Sequence, residues 1–350
     1  MTLPNRPTIR LSSPGDMAIA IPMLLGYHPE DSLVVSCLCG PAVDLTMRFD
    51  LDQLPAPEVF AAELAARLEL TTADVTFLAV FCDDRRTSLD LPHAALIEEL
   101  YNDHRLRVVE AVFVSRRRWW SYLCPDPMCC PAEGRPLDES SEVATSLSAA
   151  FALSGSGVLT DRAALVESIA FDPTLDPTAW RQRITKARNR LAVFTDRQRL
   201  AEVRELVDLL VERYEDPRAR ITTAETARLA AMLHDVTARD ELLVQAVPPQ
   251  RREVILHILR DAVRRVPPPH DAPICTALAW FAYADGDGTT ANIALDRALS
   301  TDRDYSLALL VAASLERQLP PTALVEVMEG AARDLDGRTG RDFDARDAAG

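Results

Sequence analysis

A chain of 350 residues is long for one core and comfortable for two domains of ~100 to 200 residues each. With 48% hydrophobic and 26% charged residues, and 24 Pro against 12 Gly, the composition is ordinary for a globular protein and excludes a disordered or collagen-like chain. A formal charge of −15 argues against general nucleic-acid binding, which depends on Lys and Arg neutralising phosphates.

No uncharged apolar run reaches the ~18 residues that a membrane span needs. The N-terminus MTLPNRPTIRLSSPGD lacks the basic region and apolar core of a signal peptide, so a cytoplasmic protein is expected. Lys186 is the sole lysine, and the Arg and Ala bias reads as a high-GC genome rather than as phosphate recognition.

Ser13, Pro14 and Asp16 start the first helix with a hydroxyl cap, a proline whose missing donor does no harm and a first-turn acid. Gly26 ends it, and Pro22 is expected to kink or shorten it. Runs 31–39 and 43–51 read as a hairpin joined by Gly40, Pro41 and Ala42. Phe60, Leu64 and Leu68 then mark one stripe of a helix opened by Pro57. Residues 75–82 are apolar throughout, as in a strand covered on both faces. A helix over 91–104, with Leu96, Ile97, Leu100 and Tyr101 inward, leads to a strand at 107–115, and 116–124 reads as an edge strand.

The first part of the chain is therefore a layered α/β domain, a mixed sheet of about five strands with at least two parallel pairings. Neither GxGxxG nor GxxxxGK[ST] follows any strand, and Gly155, Ser156 and Gly157 read as a plain loop.

Beyond Thr160 the strands vanish. Helical segments are expected near 161–170, 178–194, 197–214, 223–236, 239–246, 250–265, 273–284, 289–300, 304–317 and 321–334. Pro217 breaks the series, Thr222 with Glu225 forms a capping box, and Pro267 to Pro269 make a stiff joint. Residues 272–316 are similar to one tetratricopeptide hairpin, with Trp280 near the start, Gly286 at the turn, Ala294 and Ala298 as small contact residues and Tyr305 near the position where the consensus has Pro, or else form an ordinary helix pair. The expected domains are an α/β domain at 1–135, a connector at 136–160, an all-α helical domain at 161–333 and a disordered acidic tail at 334–350.

Two constellations are candidates for chemistry. In LLGYHPEDSLVV, His28 with Glu30 and Asp31 suits a general base with its orienting carboxylate, and His28 and Asp31 are the candidate catalytic pair. Turn chemistry accounts for the same residue types, with Gly26 capping, Pro29 shaping the turn and Asp31 or Ser32 holding backbone donors. In CPDPMCCPAEG, Cys124, Cys129 and Cys130 are candidate ligands for Zn²⁺ or redox-active thiols. A fourth ligand would come from afar, with His28, His93 or His104 as donors; the alternative is a Pro-rich connector with unligated thiols. Cys37, Cys39 and Cys82 read as small buried hydrophobes.

Other features favour plain structure. Asp83, Asp84, Arg85 and Arg86 follow a strand end, where ligands bind in open sheets but where any chain also reaches water. In RQRITKARNR the cations flank an apolar stripe of Ile184, Ala187, Leu191 and Phe194, as on a solvated helix. The Arg116 to Trp120 run mixes cations with aromatics, but strand alternation sends part of it inward with Trp as core. Asp285 to Gly288 lacks the Gly and Glu of a calcium loop and reads as a helix-hairpin turn.

Residues 9–35, 121–137 and 277–310 together resemble the actinobacterial family called domain of unknown function 4192. The resemblance spans nearly the whole ordered chain. It implies a high-GC actinobacterial source and a cytoplasmic protein, supports the two-part organisation, and brings no activity with it. The leading expectation is an interaction or regulatory module that binds a protein partner through its helical half, with no general nucleic-acid binding and no membrane. The alternative is a hydrolase-like or redox enzyme with its site near His28 and a cysteine cluster that holds zinc.

Overall fold

The computed structural model describes residues 9–330 except 41, 72, 84–90, 154–156, 215, 217 and 246. Asp84, Arg85, Arg86, Gly155, Ser156, Pro217 and the 334–350 tail therefore lie outside the described residues. The chain falls into two compact units that divide between Leu165 and Val166.

The first unit opens on helix α1 (Pro14–Leu25), whose capping box is complete. The Asp16 N–H donates to Ser13 Oγ at 3.1 Å, and the Ser13 N–H donates back to the Asp16 carboxylate at 3.0 Å. The helix runs unbroken through Pro22 to Leu25 and ends at Gly26, whose φ of 78° is left-handed. Strands β1 (Ser32–Cys39) and β2 (Ala42–Asp50), helix α2 (Pro57–Leu68), strand β3 (Val75–Phe81), helix α3 (Ala94–Asn102) and strands β4 (Val108–Ser115), β5 (Arg118–Ser121) and β6 (Arg135–Pro136) follow.

The six strands lie in the order β2-β1-β3-β4-β5-β6. Among these six strands only β3 and β4 pair in parallel; β1 runs antiparallel to both β2 and β3, and β5 runs antiparallel to its neighbours β4 and β6. The expected second parallel pairing does not form, because β1 lies between β2 and β3 with reversed direction. The α3 crossover alone links parallel strands.

One face of the sheet buries Leu33, Val35, Leu78, Val80 and Phe113 against Phe60 and Leu64 of α2 and Leu96, Ile97 and Leu100 of α3. Tyr101, expected inward on α3, is instead 49% exposed: the helix turns it off the stripe that Leu96, Ile97 and Leu100 define. On the other face α1 meets the indole of Trp119, leaving so little room that a Cβ on Gly15 would stand 2.8 Å from Trp119 Nε1. The stretch read as a connector holds a twelve-residue helix, α4 (Glu142–Leu153), whose Ala144 and Leu147 pack on Ile19 and Ala20 of α1. Of the Arg116–Trp120 run, Arg116 and Arg117 form a left-handed tight turn and Trp119 is core.

A short helix α5 (Arg162–Ser168) spans the division. The second unit is helical: α6 (Pro177–Leu191), α7 (Asp196–Arg213), α8 (Thr223–Met232), α9 (Val236–Val244), α10 (Pro249–Val263), α11 (Asp271–Ala284), α12 (Gly288–Thr301), α13 (Ser306–Glu316) and a further helical stretch at 321–330. Helix α11 is buried along its whole length and forms the axis on which α10 and α12 pack. The turn from α11 to α12 is a plain helix junction in which Asp287 caps Thr290. On α6, Ile184 and Leu191 are buried while Arg181, Arg183, Lys186, Arg188 and Arg190 are exposed, as a solvated amphipathic helix requires. Among the described residues no helix is long and apolar enough to cross a membrane.

Candidate functional site

The strand register places Ser32, the first residue of β1, opposite Asp50 of β2 and Phe81 of β3, and Phe81 opposite Val114 of β4. The turn before β1 thus sits at the carboxyl ends of three strands, the end where ligands bind in open α/β sheets. Here lies a cleft of about 630 Å³ lined by Tyr27, His28, Asp31, Arg48, His93 and Arg162, together with Glu30, Asp50, Asp52 and Asp161.

Backbone clamps hold this turn. The Leu159 N–H donates to the Gly26 carbonyl at 2.9 Å and the His28 N–H donates to the Leu159 carbonyl at 3.1 Å, so the chain that carries Asp161 and Arg162 is tied beside Tyr27. Asp31 has a left-handed φ of 41°, and its carbonyl accepts from the Leu51 N–H at 2.9 Å. Ser32 donates to the Glu30 carbonyl and accepts from Arg48 Nε at 2.7 Å, while Arg48 pairs with Asp50 at 2.5 Å. The Ser32 hydroxyl, rather than the Asp31 carboxylate, therefore fastens the turn.

His28 and Asp31 both line the cleft, both are exposed, and among the described residues no hydrogen bond joins them. The buried member of the wall is Tyr27. Its side chain is 2% exposed and makes no hydrogen bond among the described residues. Burial pushes its phenol above the ordinary range, against the opposing charges of Arg48 and Arg162. It stays a neutral O–H that can both donate and accept. At the same ends of the sheet Arg116 pairs with Asp83 at 2.7 Å, an exposed contact that accounts for both charges.

The cysteine cluster lies in the loop between β5 and β6, and its folding is local. Ser121 Oγ accepts the N–H groups of Leu123 and Cys124, each at 3.1 Å. Asp126 accepts the Met128 N–H on its carboxylate at 2.9 Å, and its carbonyl accepts Cys129 at 3.1 Å and Cys130 at 2.7 Å. This tight turn folds Cys129 and Cys130 back on Cys124, so that the three sulfurs lie within 4.8 Å of one another. Cys129 is exposed and the other two are half-buried. The Asp126 N–H, then the Cys130 and Cys129 thiols, hold Cys124 below the usual thiol range, whereas burial and the neighbouring Cys124 push Cys130 up to about 12. Cys124 thus becomes a thiolate before Cys130.

No histidine or carboxylate joins the three sulfurs among the described residues, and no cysteine lines the cleft. The enzyme expectation had drawn His28 and the cysteines into one centre; they occupy two. His93 belongs to the cleft wall and His104 to neither place. Of the remaining thiols, Cys37 and Cys275 are buried and pushed up to about 12 by that burial, and Cys82 is half-buried. Cys39, expected inside, is exposed because it ends β1 just before the turn at Gly40.

The sequence matches, over residues 14–322, the family described as Domain of unknown function (DUF4192). The chain belongs to that family. No curated protein and no solved structure matches it. The family match runs from the first residue of α1 into the helical stretch after α13, so the cleft and the cysteine loop both fall inside the shared region.

Sequence reasoning found His28 and Asp31, named His93 only as a distant metal donor, and missed Tyr27, Arg48 and Arg162. Tyr27 carried one usable signal: it follows the helix-ending Gly26 directly and so must start the turn that the sheet then buries. Arg48 sits in an alternating strand where a cation reads as solvent-facing, and only the antiparallel β1–β2 register turns it towards Ser32.

Proposed function

We propose that this family member works through the cleft of its sheet unit, binding a small polar, charge-bearing molecule there. The observation that supports the reading is Tyr27: a residue 2% exposed whose hydroxyl makes no hydrogen bond among the described residues, set in the wall of an open cleft beside Arg48 and Arg162. The hydroxyl is not one of the polar atoms sealed from solvent without a partner, so it opens on the cleft, where a ligand can replace water as its hydrogen-bond partner. His28 supplies proton transfer at the mouth, and Asp31, three residues on, is the acid that would orient it once a ligand is bound. This makes the chain a ligand-binding protein with hydrolase-like potential.

The test is a thermal-shift screen of small anions, amino acids and sugar phosphates on the full chain. A ligand at 100 times its Kd raises stability by about 2.7 kcal/mol. Tyr27→Phe is expected to weaken the affinity about tenfold, which at the same ligand concentration lowers that stabilisation to about 1.4 kcal/mol. A panel with no stabilising compound, or a ligand indifferent to Tyr27→Phe and His28→Ala, overturns the reading.

A second reading keeps the protein partner. Leu309 and Leu310 of α13 are 47% and 66% exposed at the end of a succession in which α11, α12 and α13 pack in turn, which suits a tetratricopeptide-like binding surface. A stoichiometric partner that copurifies with the intact chain and is lost in Leu310→Glu supports it. Retention in the variant removes it.

A further inference from the structure

The three cysteines of the β5–β6 loop have no part in the cleft, and their geometry points to a separate centre. We infer that Cys124, Cys129 and Cys130 bind one thiophilic divalent cation, Zn²⁺, as three thiolates with a fourth coordination position open to solvent.

Zinc–thiolate bonds are ≈ 2.3 Å long, so three sulfurs at tetrahedral corners stand about 3.8 Å apart. The sulfurs here already lie within 4.8 Å of one another. Closing onto a metal therefore takes side-chain movement of about 1 Å, within reach of χ1 adjustments alone. The backbone needs no rearrangement, because the Asp126 turn and the Ser121 hydroxyl already hold the segments that carry the three residues.

The surroundings suit a metal–thiolate centre. The backbone N–H groups of Asp126 and Ser121 are directed at the sulfurs of Cys124 and Cys130, the kind of outer hydrogen bond that orients ligands and spreads thiolate charge. The loop is fixed from outside as well. Trp120 Nε1 donates to the Ala132 carbonyl at 3.0 Å, and Arg118 donates to the carbonyls of Glu133 at 3.1 Å and Gly134 at 2.7 Å. A Cβ on Gly134 would meet the Trp120 indole at 2.3 Å, so the loop lies flat on that ring.

The charge balance also argues for an open site. Three thiolates leave the centre at −1 with Zn²⁺. No His, Asp or Glu among the described residues stands ready as a fourth ligand, and Cys129 is exposed. Sites with three protein ligands and one exchangeable position are those that bind and activate an exogenous ligand, whereas purely structural sites close with four. The soft sulfur set selects Zn²⁺ and its thiophilic neighbours over Mg²⁺ or Ca²⁺.

The experiment uses the full-length chain, reduced and stripped with chelator, titrated with Co²⁺ and then with Zn²⁺. One equivalent of Co²⁺ is expected to give a thiolate-to-metal charge-transfer band and tetrahedral d–d absorption, and Zn²⁺ is expected to displace it. Cys124→Ser, Cys129→Ser and Cys130→Ser each should weaken metal binding by on the order of 100-fold or more, exceeding the loss typical of an outer-shell change. Cys39→Ser, which alters the exposed thiol at the end of β1, should leave it unchanged. A second readout needs no variant: Zn²⁺ should protect these three cysteines, and not Cys39, from alkylation as mapped by peptide mass. Absence of the charge-transfer band at one equivalent, its persistence in the serine variants, or alkylation unaffected by Zn²⁺ overturns the assignment. Tyr27→Phe should bind the metal normally, which keeps this test independent of the cleft.

Discussion

The two units differ in where their polar groups are spent: both hold ion pairs, but only the sheet unit gathers polar side chains at an open cleft. In the helical unit several buried and half-buried charges are paired within the fold. Arg297 pairs with Asp271 at 3.1 Å and also reaches the carbonyls of Ile169, Val263 and Val266; Arg204 pairs with Glu241 at 2.7 Å, Arg213 with Glu225 at 2.7 Å and Arg228 with Glu202 at 2.8 Å. In the sheet unit, Tyr27, His28 and Asp31 face an open cleft, and three thiols face one another in a loop. Charges consumed by packing support architecture. Polar groups left unconsumed at the ends of a sheet are where binding energy remains available.

If that contrast is right, the helical unit should be the more fragile to loss of a charge. Arg297→Ala strands a carboxylate that is 1% exposed in Asp271, together with three carbonyls, and should cost about 3–5 kcal/mol in chemical denaturation. Hydrogen exchange should localise the loss to α10, α11 and α12; a loss below about 1 kcal/mol would break the comparison.

Acid should act on the helical unit next most strongly. His234 and His270 meet at 3.3 Å between Nε2 and Nδ1, and burial, with the charges of Arg188 and the partner histidine, pushes His234 down to about 4. The unfolded chain then binds the extra proton, so the stabilisation is complete above pH 6.5 and is lost as pH falls from 6.5 to about 4, by at most about 3 kcal/mol. Below that, Glu225 acts in the same direction. Burial alone would raise it, but the bonds from Arg213 and Thr222 outweigh burial and hold it at about 2, so its contribution disappears between pH 4.5 and 2. Stability curves for wild type and His234→Asn between pH 7 and 4 should diverge if this holds. Parallel curves would remove His234 from the account.

Smaller effects sharpen the contrast. Gly15→Ala pushes a methyl to 2.8 Å from Trp119 Nε1 and should cost the sheet unit about 1–3 kcal/mol, read from its melting temperature. Thr222→Ala removes one arm of a capping box and should cost about 1 kcal/mol. Tyr27→Phe deletes a hydroxyl that bonds none of the described residues, so the expected change in stability is under about 0.5 kcal/mol. A larger loss would mean that the phenol is part of the structure and not of a binding site.

Much of the architecture was legible because it is written locally. The Ser13–Asp16 and Thr222–Glu225 boxes, the stop at Gly26 and the stripes on α2 and α6 depend on residues three or four apart. The parallel pairings were overcounted because strand direction depends on which strands become neighbours, and the insertion of β1 between β2 and β3 leaves no mark on either sequence. Helix α4 was missed because EVATSLSAAFAL is rich in small residues and carries only a weak stripe. The candidate site divides in the same way. The cysteine cluster was visible because its three members lie within seven residues. The cleft was half visible, since Tyr27, Arg48, His93 and Arg162 meet only once the sheet and the Leu159 clamp have formed.

The two margins of the sheet differ in what they offer another chain. On one side β6 is two residues long and ends in Pro136, which has no N–H to donate, so that margin gives an incoming strand almost nothing to pair with. On the other side β2 presents nine residues, and among the described residues no strand pairs along its outer edge. Any extension of this sheet, by a copy of itself or by an added segment, is therefore channelled to β2. The strand so added would lie against the same residues, Arg48 and Asp50, that form a wall of the cleft.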